Sequence, residues 1–220
     1  MFRNCATCRW FLVQGGFAVT KTTGKPGKTE KAGKVGPEFG PLAALAGAWE
    51  GDQGVDVAFG NAEGTIIETP YRERVTFKPF GPVDNGPQCL YGLDYHMAAW
   101  RAGEEKAFHT EIGYWLWDAN LGHVMRCFMV PRGAVLIAGG AVAPDATDFT
   151  LRAQAGSPTY GILSNPYLAR AANSIRYEVS ITVTGNGSFA YTSTTTIDHE
   201  RVSDPVAHTD RNVLRRLSDA

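Results

Sequence analysis

"SIRYEVSITVTGNGSFAYTSTTTIDH", residues 174–199, is the stretch whose reading decides the fold. Two runs rich in Tyr, Val, Ile and Thr flank Gly185-Asn186-Gly187. β-branched and aromatic residues favour strands, and a tight Gly/Asn turn between two such runs signals a β-hairpin. The runs 174–185 and 188–199 are therefore expected to pair antiparallel. In the second run Tyr191, Ser193 and Thr195 share one face, and Thr192, Thr194 and Thr196 share the other. Neither face is strictly apolar. Hydroxyls facing inward would line a wet ligand cavity, although threonine is also an ordinary outward-facing strand residue.

The same punctuation continues on both sides. Upstream, residues 47–59, 71–81, 89–101, 108–118, 123–131, 134–143 and 148–156 read as extended runs separated by turn signals. Downstream lies "VAHTDRNVL" (206–214), with His208, Asp210 and Asn212 at every second position and hence on one face. That makes ten candidate strands joined mostly by short loops, which favour antiparallel neighbours. Only "GPLAALAG" (40–47) and "NPYLARAANS" (165–174) carry helical signals. Closing ten strands removes the exposed edges and leaves an interior wide enough for a ligand. The expected fold is all-β: a ten-stranded antiparallel up-and-down barrel over residues 39–220.

Composition sets bounds on the rest. The 220 residues are a one-domain length, and the formal net charge of −1 gives no basic field for nucleic acid. No run approaches the roughly 18 apolar residues of a membrane span. Residues 1–38 are rich in Gly and Lys and poor in hydrophobes, so they read as a flexible basic tail or an over-long start. The apolar "WFLVQGGFAV" (10–19) is broken by Gln14, Gly15 and Gly16 and lacks a clear cleavage site. Cys5 and Cys8 form a C-x-x-C without the second pair that a zinc site needs. Cys89 and Cys127 read as isolated strand residues, and the expected compartment is reducing and cytoplasmic.

An ordered series of motifs resembles the nitrobindin-like proteins, which have a fatty-acid-binding-protein-like (lipocalin-type) barrel. Gly47, Trp49 and Gly51 match a G-x-W-x-G signature after a leucine-rich turn. Glu73 and Val75 match the second strand, and His109, Glu111, Gly113 and Tyr114 match an H-x-E-x-G-aromatic motif. "MVPRGAVLIAGG" and "NPYLARAANSIRYEV" resemble later segments, so the likeness spans roughly 41–217. It implies a haem b pocket at one end of the barrel, a last-strand histidine on the iron, and nitric oxide or peroxynitrite chemistry. The chain departs from the pattern at one place. Aligned without gaps on "NVLRR", the ligand histidine's column falls on Thr209, and His208 stands one residue earlier. One residue in a strand is a change of face. Either a bulge returns His208 to the interior, or haem is not held in the family's manner.

The expected function is binding of a small, largely apolar ligand, with haem b as the leading cofactor. The proposed contacts are His208 as metal ligand, with His109, Glu111, Trp49 and Asn212 around the pocket. Two alternatives stand: a fatty-acid-like carrier without iron, and a small acid–base enzyme using His208 and Asp210. His96 and His109 lie on consecutive strands and would share a metal only if the hairpin register put them on one face. Of the alternating pairs Trp115/Trp117 and Tyr114/Leu116, one lines the barrel and the other faces out. His123 and His199 read as turn residues.

Overall fold

The computed structural model describes residues 35–218. Eleven strands run β1 (Gly47–Gly60), β2 (Thr65–Asn85), β3 (Gln88–Arg101), β4 (His109–Asp118), β5 (His123–Val130), β6 (Ala134–Ala141), β7 (Asp148–Gln154), β8 (Ile162–Ser164), β9 (Ala172–Thr184), β10 (Ser188–His199) and β11 (Val206–Arg216). Their order is β5-β4-β3-β2-β1-β11-β10-β9-β7-β6, and β5 pairs with β6 to close the ring. The result is an all-β, closed ten-stranded antiparallel barrel in which chain neighbours are sheet neighbours. All ten strands expected from the sequence are present. The three-residue β8 was not expected. It pairs with Ala134–Leu136 of β6, where β7 touches β6 only at Gly139. The first six residues of β2 were also missed. Pro70 argues against a strand, and the exposed Ile66 gives this segment no apolar face to read.

The two ends differ. A 3-10 segment, Pro37–Leu45, leads into β1 and plugs one end with Phe39, Leu42 and Leu45. Trp49 is anchored to this plug: its Nε1 donates to Leu45 O at 2.7 Å, and the Arg216 guanidinium lies 4.2 Å over its ring. The other end carries helix α1 (Pro166–Ala171), capped by Asn165 Oδ1 accepting from Leu168 N at 3.0 Å. It also carries the β3–β4 and β5–β6 turns. Between the ends, alternate residues fill the centre, such as Val75 and Phe77 of β2 and Val179 and Ile181 of β9. Of the segment read as tail, residues 35–38 are described, and Pro37 and Glu38 belong to the plug. The rest of that segment, with Cys5 and Cys8, lies outside the described residues, of which no helix is long and apolar enough to cross a membrane.

The register has one consequential irregularity. Between Gly51 and Gly54, β1 carries one more residue than either β2 or β11. Upstream of this bulge Trp49 faces inward; downstream, Gly54 and Asp56 do. Strict alternation from Trp49 would have put Asp56 outside. β11, by contrast, runs against β10 without interruption from Arg215 to Val206.

Gly113 of the H-x-E-x-G motif is required by close packing of β4 on β5. A Cβ there would lie 2.0 Å from Cys127 O and 2.7 Å from the Phe128 Cα. Both are backbone atoms, so neither can swing away. Gly113→Ala is expected to cost about 1–3 kcal/mol as overpacking, read as a lower urea midpoint at unchanged m-value.

Candidate functional site

The interior holds two connected chambers. The inner one, about 90 Å³, lies over Val75, Phe77, Trp115, Val179, Ile181 and Phe189. The outer one, about 520 Å³, opens beside α1 and is walled by Phe128, Val130, Leu136, Ile162, Leu168 and Ile197. Lys106 and Arg132 of the adjoining turns also line it. Phe108, His109, Glu111, Ser193, His208 and Asp210 border both chambers and form the neck.

His208 and Asp210 therefore face the hollow, and no bulge in β11 is needed to turn them there. Asn212 lies on the same face, buried behind the inner chamber. The bulge is instead in β1, and it brings Asp56 directly across from Asp210. Two facing carboxylates repel unless a cation sits between them. His208 fills that role: its Nε2 is 2.8 Å from Asp56 Oδ1 and 3.6 Å from Asp210 Oδ2. The Asp56 contact is off the ring N–H axis, so it is an ion pair rather than an aligned hydrogen bond. Burial would lower the His208 pKa, but the contacts with Asp210 and Asp56 outweigh it and push it up to about 10. One nitrogen and two carboxylates within 4.8 Å of one another could also hold a cation once that proton leaves.

A second cluster centres on Arg126. It points inward between Val124 and Phe128 on β5 and pairs with the buried Glu111 of β4. Arg126 also donates to Tyr95 Oη at 3.0 Å and to Tyr177 Oη, and Tyr95 donates to Glu111 Oε2 at 2.7 Å. His109 Nε2 lies 3.2 Å from Glu111 Oε1. Burial opposes ionisation of Glu111, yet Arg126, with help from His109 and Tyr95, holds its pKa at about 2. Burial would also lower the His109 pKa, but Glu111 outweighs it and raises it.

Glu73 is the opposite case. It is only 2% exposed, and among the described residues it forms no ion pair. It accepts from Tyr191 Oη at 3.0 Å and from Asn212 Nδ2 at 3.1 Å. Burial dominates and raises its pKa to about 8, so it is a neutral acid at pH 7. Burial likewise raises the pKa of Tyr71, whose hydroxyl lies 2.7 Å from that of Tyr191.

The other residues singled out from the sequence fall as follows. Trp49 belongs to the plug and lines neither chamber. His96 does not join His109: the register Ala99↔His109 sets His96 against Ile112 on the outside, where it meets Asp94 at 3.3 Å. Trp115 and Trp117 face inward, while Tyr114 faces out. His199 is buried against Phe59 and accepts from Arg201 N at 3.2 Å. Sequence reasoning missed Arg126, Asp56 and the tyrosines, and did not see that Glu73 is buried. For Arg126 and Glu73 a signal existed: each shares strand parity with core hydrophobes, Val124 and Phe128 in one case and Val75 and Phe77 in the other.

A hollow, closed β-barrel with a polar neck is the class that this fold and site define. The family model described as the THAP4-like, heme-binding beta-barrel domain matches residues 38–216, and the chain belongs to that family, the nitrobindin family. Among solved structures it is similar to the one titled "Crystal Structure of Rv2717c from M. tuberculosis". The two share 19% identity and a TM-score of 0.60, over 84% of this chain and 99% of that one, a likeness of fold. No curated protein matches the chain.

Glu111→Gln should leave the Arg126 charge buried and unpaired, costing about 3–5 kcal/mol. The double change Glu111→Gln/Arg126→Met should recover most of that in urea unfolding. The acid limb follows from the same pair. A carboxyl lowered to about 2 from its unfolded value near 4.5 contributes stability above pH 4.5 that is lost as pH falls through 2. Glu73 has the reverse sign. Raised to about 8, it makes stability decline as pH climbs from 4.5 to 8. Glu73→Gln should remove that decline, measured as a flatter profile of unfolding free energy against pH.

Proposed function

We propose that the outer chamber binds haem b. The supporting observation is its form: about 520 Å³, apolar walls, an imidazole in the neck, and cations on the adjoining turns. That volume suits a ligand of drug or cofactor size. The residues fit the group. Phe128, Leu136, Ile162 and Leu168 would hold the macrocycle, Lys106 and Arg132 would meet its carboxylates, and His208 would offer a ring nitrogen to the iron. When bound, the haem supplies an iron able to take a diatomic ligand such as nitric oxide.

The chain's own residues set the terms. His208 Nε2 now holds a proton between Asp56 and Asp210, and that proton has to leave before the nitrogen can coordinate a metal. The same proton argues against His208 as a general base: with a pKa of about 10 it has no free lone pair near neutrality. A fatty-acid carrier is less favoured as well. Arg126, the cation deepest in the barrel, is already matched by Glu111 and offers no free charge to a lipid carboxylate.

Titration of the purified protein with hemin tests this reading. A sharp Soret band saturating at one equivalent is expected in the wild type. In His208→Ala the band should broaden and affinity should drop at least tenfold. No band in the wild type, with lipid extracted from the protein and identified by mass spectrometry, would establish the carrier instead.

A further inference from the structure

The outside of the barrel is uneven in character. On β4, β5 and β6 the outward positions from Thr110 to Leu116, Met125 to Met129 and Val135 to Gly139 hold no charged residue. Strand pairing aligns them in rows. Ile112 stands beside Met129, Met129 beside Val135, and Val135 beside Leu163 of β8. The next row is Tyr114, Cys127 and Ile137, followed by Leu116, Met125 and Gly139. Phe80 of β2 extends the face, its ring edge-on to Tyr114 at 5.3 Å between centroids. Other outer faces are charged, with Arg72, Arg74 and Lys78 on β2, Arg152 and Glu178 on β7 and β9, and Arg211 and Arg215 on β11.

Ile112, Tyr114, Met129, Val135 and Ile137 are each between 43% and 51% exposed, and Leu163 is 72% exposed. With their half-buried neighbours they leave on the order of 700 Å² of contiguous apolar surface in water, more than the roughly 300–600 Å² of the largest patch on a typical monomer. That area is close to the roughly 800 Å² that each partner contributes to a stable protein–protein interface. Tyr and Met are also residues that interface centres favour. The absence of charge selects the partner. An uncharged face laid on a copy of itself brings no like charges together, and a pleated sheet face packs well on another. We propose that the outer face of β4, β5 and β6 is the interface of a two-fold homodimer, in which each copy buries the same three rows against the other. The inner faces of these strands carry Arg126, Phe128 and Leu136, so the partner braces the wall that holds both chambers.

Sedimentation velocity of the full chain without hemin tests this, over about 1–100 µM, a range that spans the weaker affinities interfaces of this size reach. A species of twice the chain mass is expected to dominate at the upper end. Met129→Glu or Ile137→Lys places a charge inside the contact and should weaken association at least about thirtyfold, the loss that marks a central interface residue. Both positions are exposed, so the barrel should keep its near-ultraviolet circular dichroism. Thr192→Lys, on the outside of β10, should leave the dimer unchanged. Cys127 lies within the central row and reports on the wild type directly: its alkylation by iodoacetamide, measured against Cys89 by peptide mass spectrometry, should slow as protein concentration rises. Three outcomes would overturn the proposal: a monomer at every concentration, a dimer that survives both charge substitutions, or a monomer that floats with phosphatidylcholine vesicles, which would assign the face to lipid. The hemin titration reads the interior and this experiment the exterior, so either can fail alone.

Discussion

The buried pair of Arg126 and Glu111 is the constraint around which the interior is organised. A guanidinium inside a barrel is tolerable only when its charge is matched and its donors are occupied. Glu111 supplies the charge, and Tyr95 and Tyr177 occupy donors that Glu111 does not reach. These partners come from β3, β4, β5 and β9, so the cluster ties opposite arcs of the wall together.

Environment divides the four interior acids into three roles. Glu111 beside Arg126 is a carboxylate at any ordinary pH. Glu73, as deeply buried but facing only Tyr191 and Asn212, is a neutral acid at pH 7. Asp56 and Asp210 oppose each other across β1 and β11 and are reconciled by a proton on His208. The contrast lies in which neighbour each carboxyl has, not in how far it is from water. Of these acids, Glu111 and Asp210 border both chambers, and Glu73 and Asp56 line the inner one alone.

Much of this was legible from residue order. Period-two alternation and Gly-centred turns located ten strands, and hence the closed barrel. The same alternation put His208, Asp210 and Asn212 on one face and paired Trp115 with Trp117. Such readings succeed because strand parity is a local property, carried by residues two apart in the chain. The resemblance to the family also held, and Gly113 has a steric reason in the backbone of β5.

Tertiary structure decided what local order cannot express. The extra residue between Gly51 and Gly54 reverses the facing of β1 and turns Asp56 inward, where it meets a histidine about 150 positions away. The hairpin register of β3 and β4 sends His96 outside and His109 inside. Arg126 could be seen to share a face with core hydrophobes, yet only closure of the ring brings Tyr95 and Tyr177 to its donors. Sequence alone determined which residues point the same way along each strand. Which strands face each other across the hollow, and so which charges meet, was settled by bulges, register and closure, because those contacts join segments that have no proximity along the chain.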